Sequence, residues 1–431
     1  MIELQNITTS DLETYHSSLS RKYQDIQNKK LNLDMSRGKP CKEQLDLSNG
    51  LLESLDSSDY RSANGTDCRN YGILDGLPEL KALCAELLEV QTQEVIVGGN
   101  SSLTQMYDLI AKMLLHRLPD SDTPWCKLSK IKFLCPSPGY DRHFAISANF
   151  GIEMIPIDYH SDGPDMDTIE RLVANDPEIK GIWCVPKYSN PTGITYSDNV
   201  VTRLAKMSAK APDFTIFWDN AYIVHHLDST HPKLLNILTA CREANHPNRV
   251  FIFSSTSKIS FPGSGIAMLA SSEANISWLK KLMSVQSIGP DKINQLRHLR
   301  FFKNIAGIEA HMERHAAILS PKFKIVLNIL QDNFANDHTI SWSKPHGGYF
   351  ISLDTPPGCA KKVVAKAKAA GVVLTPAGAS FPYGNDPEDR NIRIAPTMPS
   401  LAELQQAMEL LVLCIKLVSA EEELAKRQTA S

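Results

Sequence analysis

Lys258 closes the stretch Val250-Phe-Ile-Phe-Ser-Ser-Thr-Ser-Lys258, an apolar run followed by four small hydroxyl residues and an amine. The run reads as a buried strand. A lysine at a buried strand end loses solvent, which lowers its pKa toward a neutral, nucleophilic amine. The hydroxyls before it can hold a phosphate. Two upstream segments have the same form. Phe214-Thr-Ile-Phe-Trp-Asp219-Asn-Ala-Tyr222 is a strand ending in a carboxylate, with a phenol three residues on. Gly181-Ile-Trp-Cys-Val-Pro-Lys-Tyr-Ser-Asn190-Pro-Thr-Gly193 is a strand that runs into an amide turn. An amine nucleophile, an acid, a phenol and an amide at successive strand ends suit a bound pyridoxal phosphate.

The acid has a specific task in that chemistry. A carboxylate at Asp219 beside a pyridine nitrogen keeps the nitrogen protonated, and the protonated ring withdraws electrons from a carbanion at the substrate α-carbon. The alternative is a strand-end Asp that caps a loop. Tyr222 either donates to the phenolate oxygen of the cofactor or packs as a half-buried tyrosine. Gly98-Gly99-Asn100-Ser101-Ser102 follows a short apolar run and opens a periodic segment. Glycines let backbone approach an anion, Ser or Asn caps the helix, and the helix dipole favours a phosphate there. The same string also fits a plain capped turn. His225-His226 invites a metal reading, but no further ligand stands at a suitable spacing, and no metal site is expected.

The elements that must hold these groups alternate. Strands are expected over Glu94–Val97, Ile131–Cys135, Ile152–Pro156, Gly181–Val185, Thr215–Trp218, Val250–Phe253 and Gly265–Ala270. Helices are expected over Leu80–Leu88, Leu103–Leu115, Met166–Asn175, Val200–Ala209 and Ala274–Met283. Such alternation implies parallel pairing and an α/β layered domain. Beyond about residue 305 the pattern changes to a long helix, Ala306–Asn333, short antiparallel-looking strands at Thr339–Trp342 and Gly348–Ser352, and a helix, Ala360–Ala370. Strands Val372–Leu374 and Asn391–Ile394 and a last helix from Leu401 to about Lys426 complete a second, α+β unit. The tail from Gln428 is expected to fray.

With 431 residues the chain is long enough for two domains. Its 42% hydrophobic and 22% charged content are those of a soluble globular protein. A net charge of −3 leaves no nucleic-acid footprint. No apolar run approaches the ~20 residues of a membrane span. The opening Met1-Ile-Glu-Leu-Gln-Asn has neither a basic n-region nor an apolar core, so no signal peptide is expected. Nine scattered cysteines, never in Cys-x-x-Cys, fit reduced thiols in a cytoplasmic protein.

Together these segments resemble the fold-type I pyridoxal-phosphate enzymes, in particular the class I aminotransferases, over most of the chain. Asn190-Pro-Thr-Gly193 is similar to the family turn whose Asn contacts the cofactor oxygen and the substrate. Asp219 and Tyr222 are similar to its Asp-x-x-Tyr, and Ser255-x-Ser257-Lys258 to its Ser-x-Ser-Lys, with Lys258 as the Schiff-base residue. Tyr71, in Tyr71-Gly-Ile-Leu-Asp-Gly76, resembles a tyrosine that reaches the phosphate of the neighbouring subunit. Gly38, in Ser-Arg-Gly-Lys-Pro, resembles a glycine of the substrate entrance, and Tyr140, in Pro136-Ser-Pro-Gly-Tyr140, the aromatic stacked on the ring. Arg393, in Asn391-Ile-Arg-Ile394, resembles the arginine that grips the substrate α-carboxylate as a bidentate fork.

The resemblance implies a large domain with a mostly parallel seven-stranded sheet between helices, plus a smaller α+β domain. The expected division is an N-terminal arm and part of the small domain over 1–50, the cofactor domain over 51–305 and the small domain over 306–431. It implies catalytic roles for Lys258, Asp219 and Tyr222. Cofactor contacts are expected from Asn100, Ser101, Ser102, Tyr140, Asn190, Ser255 and Ser257, with Tyr71 from the neighbour of a homodimer that shares its active sites. The implied reaction moves an amino group between an amino acid and a 2-oxo acid, with aspartate and 2-oxoglutarate as the expected pair. A pyridoxal-phosphate β-lyase or decarboxylase uses the same constellation, and an aminotransferase-like regulatory domain is a further alternative. One departure stands out. The family usually carries an arginine shortly after the lysine to neutralise the phosphate, and here the stretch is Phe261-Pro-Gly-Ser-Gly265. Lys292 is the expected replacement, with Arg297 as its alternative. Arg37, Lys39, Arg142 and Lys292 are the candidates for reading an acidic side chain.

Overall fold

The computed structural model describes residues 4–430. Seven strands form the central sheet, in the order Val95–Val97, Ala267–Ala270, Val250–Ser255, Thr215–Asp219, Ile179–Cys184, Lys132–Pro136, Glu153–Ile157. Ala267–Ala270 runs antiparallel to both of its neighbours, and the five strands from Val250–Ser255 to Glu153–Ile157 pair in parallel. The fold is thus the mostly parallel α/β sheet expected from the alternation of elements, and each of its seven strands lies within two residues of its expected bounds.

The sheet is apolar on both faces, which is why its strands read as continuous runs rather than alternating ones. Successive side chains still point to opposite sides. Ile182, Ile216, Trp218 and Ile252 face one core, while Trp183, Phe217, Phe251 and Phe253 face another. In the second core Phe133, Trp183 and Phe217 pack at tilted angles with ring centroids 4.7–5.8 Å apart. Helices cover both faces. Ser102–Leu115 buries Met106, Leu109, Ile110 and Met113, one stripe of a 3.6-residue period. Met166–Asn175 buries Met166, Ile169 and Val173 and is capped by Asp165, whose side chain accepts from the amides of Asp167 and Thr168.

A separate apolar cluster is built from Leu33, Met35 and residues between Phe323 and Val418. The helix Ile305–Phe334 joins the two regions. Its Ile308 and Met312 pack on the sheet side, and its residues from Phe323 onward pack in the other cluster. There a three-stranded antiparallel sheet runs in the order Ser341–Trp342, Ile351–Asp354, Asn391–Ile394. Leu33–Asp34 pairs in parallel with Val372–Val373, so the N-terminal segment is tied into this region before it turns toward Gly38. The last helix runs from Leu401 to Ala430, further than expected, and Ser431 lies outside the described residues. Residues 428–430 continue the helix, and Arg427 anchors that turn, donating to the carbonyls of Leu4 and Ile7 and pairing with Glu423 at 3.0 Å. Among the described residues all nine cysteines are free, and no helix is long and apolar enough to cross a membrane.

Gly371 is where the N-terminal strand depends on a glycine. It has φ 91°, its carbonyl accepts from Leu33 N at 2.9 Å, and an added Cβ would lie 1.9 Å from the Leu31 carbonyl oxygen. Gly371→Ala is expected to cost about 1–3 kcal/mol from the left-handed backbone alone, and more from the contact. Gly358→Ala has φ 79° but open space around it, and is expected to cost less. Denaturant midpoints of the two variants check the difference.

Candidate active site

Parallel pairing brings the carboxyl ends of Ile179–Cys184, Thr215–Asp219 and Val250–Ser255 side by side, and a cavity of about 160 Å³ opens at that edge. This is where open α/β sheets place their ligands. Ser101, Ser102, Tyr140, Asn190, Asp219, Tyr222, Ser255, Ser257 and Lys258 all line it. Residues from five separate stretches of sequence are therefore gathered in one place.

Lys258 ends a single 3-10 turn, Thr256–Lys258, directly after its strand. Its amine lies 5.2 Å from the Tyr222 ring centroid and 5.8 Å from that of Tyr349. Burial lowers its pKa, Asp219 opposes that shift, and Arg393 adds to it. The Tyr222 phenol is pushed well above its ordinary value by burial and by nearby Tyr140 and Asp219, so it remains a proton donor. Tyr140 is likewise raised to about 12, chiefly by burial.

Asp219 is buried, and its two oxygens differ. Oδ2 lies 3.0 Å from His143 Nε2, whereas Oδ1 is buried without a hydrogen-bond partner. His143 is buried and stacked on the Trp183 indole, with centroids 4.3 Å apart and planes at 6°. The imidazole therefore cannot swing away, and it fixes the plane of the carboxylate. Sequence reasoning passed over His143. It sits in the first turn of Asp141–Asn149, a helix that was missed although Pro-Gly-Tyr140 followed by an acidic first residue is a start signal.

Ser101 precedes the helix Ser102–Leu115 in extended conformation and makes no side-chain cap. The start of this helix, with Ser101 and Ser102, thus borders the cavity. Asn100 has another task. Its amide donates toward the Gly263 carbonyl at 3.3 Å, and its own carbonyl accepts from Ser257 at 3.2 Å, which joins this loop to the lysine turn.

Arg393 lies just behind Asn190 and is 6% exposed. Its Nε donates to Thr375 Oγ1 at 3.2 Å, and its Nη1 donates to Asp141 Oδ1 at 2.9 Å and Asn190 Oδ1 at 3.3 Å. The Phe350 ring centroid is 4.9 Å from the guanidinium carbon. Gly38 packs on the same ring, where an added Cβ would meet Phe350 Cζ at 2.6 Å. Gly38 thus bears on Arg393 through Phe350. Sequence reasoning also missed Asp141, Thr375 and Phe350, which carry no motif of their own.

Five expected site residues do not line this cavity: Gly38, Asn100 and Arg393, which stand beside it through the contacts above, and Tyr71 and Lys292. Tyr71 is 81% exposed. Lys292 is buried, but its amine donates to the Gly72 carbonyl at 2.9 Å and so ties down the loop that carries Tyr71. Lys258 is the only basic residue among those lining the cavity. Arg37, Lys39 and Arg142 are exposed and do not line it either. A side chain at Gly265 would be tightly placed, with its Cβ 3.0 Å from Thr256 Oγ1 and 3.1 Å from the Phe261 carbonyl. Among the described residues no group of three or more His, Cys, Asp or Glu is placed to hold a metal ion.

The helix Lys292–Phe302 braces the lysine turn. Asn294 donates to the carbonyls of Ser264 and Gly265, both at 3.0 Å. His298 Nδ1 lies 2.8 Å from the Asn294 carbonyl, which leaves Nε2 to accept from Ser260 at 2.9 Å. Burial lowers the His298 pKa from 6.5 to about 4.

Comparison with known proteins locates this arrangement. The family model for aspartate amino-transferase matches residues 7–428. A Mycolicibacterium smegmatis protein with a provisional aminotransferase name is 51% identical over 422 residues, 97% of this chain and 99% of that protein. The aspartate aminotransferase of Corynebacterium glutamicum is 44% identical over 420 residues, 97% of each chain. The crystal structure of an aspartate transaminase from Corynebacterium glutamicum superposes with a TM-score of 0.95 at 43% identity, covering 98% of this chain and 99% of that one.

The His298 brace has a pH consequence. The unfolded imidazole takes up its proton near pH 6.5, the folded one only near 4. The stability contributed by the neutral form is thus complete above pH 6.5 and is lost as pH falls toward 4. His298→Gln, which does not titrate, is expected to reduce that acid loss by roughly 1–3 kcal/mol. Urea unfolding across this interval measures it.

Proposed function

The chain belongs to the aspartate aminotransferase family and is a transaminase, and from that premise we propose that it uses pyridoxal 5'-phosphate to move the amino group of aspartate to 2-oxoglutarate. The observation that carries the cofactor is Asp219 Oδ1, a buried carboxylate oxygen with no partner, on a residue that lines the cavity. Such an atom calls for a buried N–H donor, and a protonated ring nitrogen is one. Helix amides and the hydroxyls of Ser101, Ser102, Ser255 and Ser257 fit the phosphate at the other end. The residues present therefore fit the group.

When bound, the cofactor supplies an electron-withdrawing ring for the negative charge that develops at the substrate α-carbon. The chain's own residues do the rest. Asp219 holds the nitrogen end. Tyr222 and Asn190 would hold the ring oxygen, and Tyr140 would cover one face. Lys258 Nζ, kept toward its neutral form by burial, takes the proton from the α-carbon and returns one in the reverse direction. Arg393 grips the carboxylate common to amino acid and 2-oxo acid, which is why one fork serves both halves of the cycle. Aspartate as donor is supported by the name of the 44% identical relative.

The reading includes a homodimer with shared sites. No cation beyond Lys258 lines the cavity, and Tyr71, Val285 and Ile288 are exposed by 81%, 89% and 62% close to the Gly72–Gly289 contact. A second copy covering that face would bring Tyr71 to its neighbour's phosphate. The division into a cofactor domain over 51–305 and a smaller one over 306–431 belongs to the same reading.

Lys258→Ala is expected to abolish the visible absorbance of the loaded protein and to lower turnover by several orders of magnitude. Wild type should lose that absorbance on mixing with aspartate and regain it with 2-oxoglutarate. Retention of full activity in the variant, or indifference of wild type to aspartate, would remove the corresponding half of the proposal. Mixing Tyr71→Phe with Lys258→Ala subunits tests sharing. Hybrids should regain activity that both parents lack, since one of their two sites then carries neither defect.

A further inference from the structure

The contact between Arg393 and Asp141 is not needed to hold Arg393. The Thr375 hydroxyl engages Nε at 3.2 Å, Asn190 Oδ1 engages Nη1 at 3.3 Å, and Phe350 underlies the guanidinium plane. Thr375 is itself fixed by donating to the Ser36 carbonyl at 2.6 Å. Asp141 adds a carboxylate on Nη1 at 2.9 Å, in the manner of a substrate carboxylate. Its side chain is 34% exposed, whereas that of Arg393 is 6% exposed. Asp141 is also the first residue of the helix Asp141–Asn149, where the free amides and the dipole favour a carboxylate that has left its partner.

We propose that Asp141 is a positioning residue that sets substrate affinity: its carboxylate holds Arg393 Nη1 in the free protein and is displaced by the carboxylate of the incoming amino or 2-oxo acid. Two carboxylates cannot share one guanidinium nitrogen without repulsion, so binding and release of Asp141 are one event. The event is transmitted locally, because the turn that carries Asp141 also carries Tyr140, which lines the cavity, and His143, which holds Asp219. The inference rests on Arg393 being the carboxylate fork.

The test titrates the loaded protein with succinate, a dicarboxylate that cannot react, by calorimetry, and measures KM and kcat for donor and acceptor. Asp141→Asn keeps the shape and removes the competing charge. It is expected to tighten succinate binding by about three- to thirty-fold and to lower both KM values with a much smaller change in kcat. Asp141→Glu keeps a carboxylate and is expected to keep the weaker binding. Arg393→Lys is measured beside them. If it weakens succinate binding while Asp141→Asn leaves binding unchanged or weaker, Asp141 is a permanent support of the fork and the proposal is overturned. If Arg393→Lys leaves succinate binding intact, the fork reading fails and this inference falls with it.

Discussion

One buried carboxylate governs the arrangement. Asp219 closes a central strand, is 3% exposed, and has a hydrogen-bond partner for only one of its oxygens. Leaving one buried polar group unsatisfied costs about 1–3 kcal/mol, and more when the group is charged. A fold keeps such a cost where a ligand offsets it. The surrounding structure fixes the carboxylate at the cavity and leaves Oδ1 without a protein partner. His143 occupies Oδ2, Trp183 stacks on His143, and Trp183 is itself set in the aromatic layer with Phe133 and Phe217. The sheet's second core therefore acts on the site through one imidazole.

The amine is held by an equally local device. Lys258 stands one turn beyond its strand, and the helix Lys292–Phe302 clamps that turn through Asn294 and His298. The lack of a side chain at position 265 fits this clamp, since a Cβ there would press on Thr256 Oγ1 and the Phe261 carbonyl at 3.0 and 3.1 Å. Lys292 belongs to the same helix, but it holds the loop of Tyr71 rather than the cavity. Its buried amine helps to shape the face that a second copy would cover.

The sequence made the sheet legible because strands buried on both faces are short, apolar and end in residues of distinct chemistry. Each of the three central strands showed its terminal functional group, Cys184 leading to Asn190, then Asp219, then Ser255 leading to Lys258. The motif residues met at the cavity because parallel pairing aligns those ends. What stayed hidden has a physical cause in each case. His143, Asp141, Thr375 and Phe350 act on Asp219 or Arg393 from other elements, and nothing in their own neighbourhood of sequence marks a partner that lies far along the chain. The fate of Lys292 depended on which of several polar groups its long side chain reached, and spacing does not encode that. The tail from Gln428 was expected to fray, and the helix instead continues to Ala430, with Arg427 held against Leu4 and Ile7.

The central claim is that Asp219 Oδ1 waits for a protonated ring nitrogen. Nitrogen NMR of the protein loaded with cofactor labelled at the ring nitrogen reads this directly. The account predicts a protonated nitrogen throughout the pH range in which the wild-type protein is folded, and an unprotonated one in Asp219→Asn, where an amide cannot hold the charge. A nitrogen that is unprotonated in wild type, or protonated alike in both proteins, would contradict it.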